Sequence, residues 1–160
     1  MKPAGGMERE APAEPRAFFV YPGQLAASAE PRYYTTILGT CVSVCLFDPH
    51  AGVGGLNHYL LPYGTELTGP RYGNVALARL LREVLGHGAH REHLRAKVFG
   101  GMTSSRPMAL HQDLGGGNVA LALEWLSAAG IPILARDVGG HRGRKLLFHN
   151  QDGAAWVKHL

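Results

Sequence analysis

Cysteine is scarce in this chain: Cys41 and Cys45 are the only two among 160 residues. That excludes a disulfide-stapled fold, which needs several pairs in a short chain. On a strand their Cα atoms would stand roughly 13 Å apart, beyond bridging range. Free thiols and a reducing, cytoplasmic setting are therefore expected. Long apolar runs are missing too. No stretch approaches the roughly 20 residues of a membrane-spanning helix, so no membrane insertion is expected. The opening MKPAGGMEREAPAEPRA holds no apolar segment of the kind a secretory signal carries. Charge is thin at 18% of residues, with a formal excess of +4. The basic residues are scattered, apart from Arg142, Arg144 and Lys145. Nucleic-acid binding calls for a denser stripe with exposed aromatics between the charges, so no nucleic-acid partner is expected. A mildly acidic protein partner is the better match.

What is present suits a single domain. The chain is 46% hydrophobic and long enough to bury roughly two thirds of its unfolded surface. Residues 1–16, rich in Pro, Gly, Ala and Glu, lack hydrophobic periodicity and read as a disordered tail ahead of one domain at 17–160. Apolar and β-branched runs predict strands at 17–21, 33–38, 41–47, 53–61, 96–99, 131–138, 145–148 and 154–158. Within 41–47, alternation puts Val42, Val44 and Leu46 on one face and Cys41, Ser43 and Cys45 on the other. Helical spacing of apolar residues from Asn74 to Leu85 predicts a helix stopped by Gly86 and Gly88. Asn118 is read as the cap of a second helix at 119–129, ended by Gly130. His90–Leu94 suits a short helical turn, and 102–112 reads as irregular. Several strands are joined too tightly for helical crossovers. The expected class is α+β, with mixed, mostly antiparallel sheet and two to three packing helices.

The residues able to do chemistry converge on 35–58. If 41–47 and 53–61 form a hairpin about Asp48–Gly52, residues whose numbers sum to 99 face each other. Cys41 then faces His58, with Cβ atoms about 4.5–5.5 Å apart. Gly39 would let the backbone kink and leave the thiol at a strand start. An imidazolium beside sulfur lowers the thiol pKa and yields the nucleophilic thiolate. A third group should orient the imidazole through its other nitrogen. Thr35, Thr36 and Asn57 all qualify, and spacing does not choose among them. The plain alternative is a cysteine that serves as a small buried hydrophobe. Elsewhere, His87, His90 and His93 read as a solvated surface in preference to a metal site. Gly139–Lys145 reads as a tight turn in preference to a phosphate cradle, which would need the spacing of a P-loop. Gly100, Gly101 and Asn118 suit a turn and a helix cap, or the lining of a cleft.

From Tyr33 onward the chain resembles the CheD family, the chemoreceptor glutamine deamidases of chemotaxis. Five stretches carry the resemblance: Thr36–Asp48, Gly52–Pro62, Arg71–Gly73, Ala96–Met102 and Asp137–Phe148. The resemblance implies a Cys–His–Thr triad at Cys41, His58 and Thr35, the last standing six residues before the cysteine. It implies a layered sandwich related to the catalytic domains of deamidating cytotoxic necrotizing toxins, and no metal or organic cofactor. The implied reaction turns receptor glutamine into glutamate and ammonia through a cysteine thioester, with glutamyl methyl esters as a second substrate. The implied partners are the cytoplasmic domains of methyl-accepting chemoreceptors and a CheC-type phosphatase. One departure stands out. The family's Ile-Gly-x-Arg-Asn motif reads Leu114-Gly115-Gly116-Gly117-Asn118 here, without the arginine. That change bears on substrate affinity or partner choice more than on bond chemistry.

Overall fold

The computed structural model describes residues 2–4, 9–13, 15–103 and 113–160. Its ten strands form two five-stranded sheets. The first sheet runs β1 (Lys2–Pro3), β10 (Ala155–His159), β9 (Arg144–His149), β4 (Tyr33–Leu38), β2 (Ala17–Phe19). The second runs β3 (Leu25–Ser28), β6 (Val53–Asn57), β5 (Val42–Asp48), β7 (Arg95–Gly100), β8 (Ile133–Val138). Two pairs, β2–β4 and β7–β8, are parallel and the rest antiparallel, so both sheets are mixed. Helices α1 (Gly73–Gly86) and α2 (Leu114–Ala129) cover one face of the second sheet. The expected α+β sandwich with two long helices is what the chain forms.

Alternation in β5 explains the layers. Val42, Val44 and Leu46 pack under the helices with Leu77, Leu80, Leu121 and Leu126. Cys45 and Phe47 point the other way, into a core shared with Tyr34, Leu38, Leu146 and Phe148 of the first sheet. Because both faces are covered, every residue of β5 is buried. Cys41 lies at the edge of that inter-sheet core.

Two local readings are corrected and one strand is new. The stretch 1–16 is not wholly a free tail: Lys2 and Pro3 pair with Val157 and Trp156. Arg9 lies over the Trp156 ring, bonds Asp152 at 3.1 Å and accepts the indole N–H on its carbonyl. An apolar outer sheet face and a buried indole N–H supply partners that the composition of the segment does not reveal. Helix α2 begins at Leu114, five residues earlier than expected. Its cap is Asp113, whose side chain accepts Gly116 N–H, and Asn118 lies inside the helix. Strand β3 arises from Leu25–Ser28, a run without β-branched residues, because β6 offers an open edge. The remainder of the irregular 102–112 stretch, from 104 onward, falls outside the described residues.

In the basic cluster near 142–145, Arg142 and Lys145 are exposed and Arg144 is withdrawn from the surface. Arg144 is 4% exposed and donates to Asp137 at 2.8 Å and to the carbonyls of Gly139 and Gly100. Arg142 donates to the carbonyls of His159 and Leu160. At the far hairpin turn, His93 stacks on His50 at 4.5 Å, and His90 N–H donates to Asp48.

Candidate active site

Cys41 stands one residue ahead of β5, and His58 one residue beyond β6. The two strands pair at numbers summing to 101: Asp48 with Val53, Cys45 with Leu56, and Val42 with Tyr59. Cys41 is thus in line with Leu60, and His58 with Ser43. The expected sum of 99 is off by two, because Asp48 stays in the strand and the turn occupies 49–52. The Asp48 carboxylate takes the N–H groups of His50 and Ala51. Gly52, at φ +68°, donates its own N–H back to Asp48 O. A slip of one would have sent the two side chains to opposite faces; a slip of two keeps them on the same face. Cys41 and His58 are therefore diagonal neighbours, a relation of roughly 7–8 Å between Cα atoms. Among the described residues the imidazole bonds Thr36 and Val20, and sulfur is not a partner. Such bonds are commonly loose in an unliganded site and tighten on binding.

The side-chain ladder breaks at this point for a specific reason. Between the Cys45–Leu56 and Val42–Tyr59 pairs, Asn57 Oδ1 takes the Val44 N–H at 2.8 Å. His58 meanwhile bonds outward, its N–H to Gln24 O and its carbonyl to Gly23 N–H. Asn57 is thereby committed to holding the strands, and it does not orient the imidazole.

The imidazole's hydroxyl partner comes from the opposite sheet. His58 Nδ1 lies 2.8 Å from Thr36 Oγ1 and 3.3 Å from Val20 O. Thr36 donates its single hydroxyl proton to Val20 O at 2.6 Å, so toward His58 it offers only lone pairs. Both neighbours of Nδ1 are then acceptors, which assigns the proton to Nδ1 and leaves Nε2 bare. Thr35, the position implied by the family resemblance, is not brought to the imidazole. It points to the outer face of the first sheet and donates to Leu146 O at 2.8 Å. Adjacent strand residues face opposite ways, so Thr35 and Thr36 cannot both reach His58.

Burial sets the protonation of the pair. It raises the Cys41 thiol above its ordinary 9.0, partly offset by the residue's own N–H. It lowers His58 below 6.5, partly offset by the Val20 carbonyl. Both shifts favour the neutral forms, a thiol at Cys41 and an unprotonated imidazole at His58, over the thiolate–imidazolium pair expected above. His58 is 2% exposed, whereas Cys41 is partly open to solvent. A buried base, held in one tautomer behind a reachable thiol, can take the proton as sulfur attacks.

Gly100, Gly101 and Asn118, read from the sequence as a turn and a helix cap or as the lining of a cleft, all lie beside Cys41. Gly39 needs no special freedom; the close approach is at Gly100, with φ +103° and space filled by Cys41 O. Gly101 N–H donates to Cys41 O at 2.8 Å, and Met102 N–H to Gly39 O at 2.9 Å. Asn118, fully buried in α2, donates from Nδ2 to Thr40 O and Leu60 O. It lies inside the helix and not at its cap.

Fold and site together define a two-sheet sandwich carrying a thiol and an imidazole–hydroxyl pair at the rim between its sheets. The family model described as "CheD chemotactic sensory transduction" matches residues 61–159. A "Probable chemoreceptor glutamine deamidase CheD 1" from Anaeromyxobacter dehalogenans is 51% identical over 143 residues, covering 89% of this chain and 84% of that protein. A protein of the same description from Trichlorobacter lovleyi is 42% identical over 140 residues, covering 86% of this chain and 87% of its own length. One from Rhodospirillum rubrum is 42% identical over 141 residues, with 88% and 80% covered. The first alignment leaves out only about a ninth of the chain, so it necessarily runs through Cys41 and His58. The chain belongs to the CheD family.

Proposed function

We propose that this protein is a chemoreceptor glutamine deamidase, with Cys41 as nucleophile, His58 as its base and Thr36 as the group that orients the base. The observation that carries the reading is the bonding of His58 Nδ1 to Thr36 Oγ1 and Val20 O, which leaves Nε2 as the basic nitrogen on the sheet face that carries the Cys41 sulfur. The names of the relatives supply the substrate class. His58 Nε2 takes the thiol proton as sulfur attacks the glutamine side-chain carbonyl carbon. Backbone N–H groups near Cys41 hold the oxyanion. The imidazolium then returns its proton to the departing nitrogen, ammonia leaves, and a thioester remains. Water, deprotonated by His58, attacks that thioester, and its collapse releases glutamate and restores the thiol. A glutamyl methyl ester fits the same steps with methanol leaving. The reading extends to a cytoplasmic setting, to a CheC-type phosphatase as partner and to kinship with the deamidating toxin domains.

Incubation with a chemoreceptor cytoplasmic fragment tests the assignment. Ammonia should appear together with the mass change of an amide-to-acid exchange at glutamine. Chain cleavage without ammonia would instead mark a peptidase and end the proposal. The threonine assignment has its own check. Thr36→Val should lower kcat by about ten- to a hundred-fold, the usual range for a group that orients an imidazole, whereas Thr35→Val should leave it nearly unchanged. The reverse ranking would return the role to Thr35.

A further inference from the structure

We infer that Asn118 is a positioning residue that aims the Cys41 N–H as an oxyanion donor; the inference rests on the deamidase reading above. Thr40 O and Cys41 N belong to one peptide unit, and the described chain contains no cis peptide. In a planar trans unit the C=O and N–H point in opposite directions. Asn118 Nδ2 holds Thr40 O at 3.0 Å from the helix side of the second sheet. The Cys41 N–H is thereby turned away from the Asn118 carboxamide, and it reaches its own sulfur.

The neighbouring bonds agree with this direction. That N–H already favours the thiolate form of its own sulfur. Val42 N–H is spent on Tyr59 O, Gly101 N–H on Cys41 O and Met102 N–H on Gly39 O. Apart from its own sulfur, the Cys41 N–H has no protein acceptor among the described residues. The peptide is anchored at its oxygen and open at its nitrogen. Donation to a carbonyl also polarises the peptide, which strengthens its N–H as a donor.

The second bond of the same amide serves the same end. Nδ2 donates to Leu60 O at 2.8 Å, and Leu60 is in line with Cys41. One amide nitrogen therefore ties the nucleophile's segment to the histidine's segment, where the ladder between β5 and β6 has opened. Asn118 Oδ1 is buried without a partner. A buried acceptor left unpaired is unfavourable, so the side chain's fit here depends on its two donated bonds.

Asn118→Ala and Asn118→Asp test this in the full chain, with a chemoreceptor fragment as substrate and iodoacetamide as a probe of Cys41. Iodoacetamide is attacked at a saturated carbon and forms no oxyanion, so its rate does not depend on the hole. The expected result for Asn118→Ala is a kcat lowered about 10²-fold, as for loss of an oxyanion donor, with little change in KM. Cys41 alkylation should slow far less than deamidation, because the turned N–H withdraws only its own stabilisation of the thiolate. Asn118→Asp, protonated between two carbonyls, keeps one donor and should lose less. Cys45, enclosed between the sheets, reports folding by its protection from the same reagent. An unchanged kcat would overturn the inference, and so would a parallel fall in deamidation and Cys41 alkylation. Exposure of Cys45 in both variants would also overturn it, since the role would then be structural. A parent protein that releases no ammonia is a different outcome: it removes the deamidase reading itself and this inference with it.

Discussion

Cys41→Ala should abolish ammonia release from a chemoreceptor fragment, by about 10⁴-fold or more, as expected when the nucleophile of a covalent mechanism is lost. The fold should survive, because Cys41 lies at the edge of the inter-sheet core and its thiol makes no bond to another side chain among the described residues. The second cysteine makes the control sharp. Cys45 lies four residues further along β5, on the same face, but at 0% exposure. Cys45→Ala should retain deamidation while costing roughly 1 kcal/mol of stability through lost packing. Paired assays of ammonia release and thermal unfolding separate the two. Full activity in Cys41→Ala would end the proposed mechanism, since no other free thiol is exposed to substrate.

His58→Gln should reduce kcat by about 10²- to 10⁴-fold, the span for a lost general base. The wild-type pH profile carries more information than the loss itself. Burial disfavours the imidazolium, so His58 remains unprotonated below its ordinary 6.5. Activity should therefore hold through that pH and fall only at a more acidic value. The sign for stability is the same. The unfolded chain binds the proton more readily than the folded one, so stability rises with pH from the depressed folded value up to 6.5. His58→Gln should flatten that slope in denaturant titrations. On the alkaline side, burial raises the Cys41 thiol, and iodoacetamide labelling in the absence of substrate should accelerate only above 9.0. An acid limb of kcat/KM above 6.5, or fast labelling at neutral pH, would indicate a preformed ion pair and contradict the neutral resting site.

The missing arginine at Gly117 gains context from the fold. Gly117 lies in the first turns of α2, one residue before Asn118. The carboxamide next to the departure still reaches both carbonyls, so the change leaves the positioning of Cys41 intact. Its effect belongs to whatever meets the start of the helix from outside.

Much of this protein could be read from local pattern. Alternation in 41–47 separated the helix-facing from the sheet-facing residues correctly, because a strand's period of two is independent of what packs on it. Helix α1 was legible from the spacing of Val75, Leu77, Leu80 and Val84, all of which are buried. Glycine placement was less informative, since the close approach at Gly100 depends on a segment distant in sequence. Strand β3 and the paired part of the N-terminal segment carried no periodic signal, since each is held by an edge or face supplied from elsewhere in the chain.

By itself the sequence determined the α+β class, the two helices and the face of its strand on which the Cys41 thiol lies, with His58 on the next strand. Only the tertiary structure decided their register, because one buried aspartate kept its place in a strand and moved the turn by a residue. It also decided which of the two threonines reaches the imidazole. Both faces of Tyr33–Leu38 are equally apolar, and parity alone cannot say which one a second sheet will cover. The Thr36 hydroxyl and Val20 carbonyl at the imidazole, and the Asn118 amide that ties Thr40 to Leu60, all come from layers that meet only after folding.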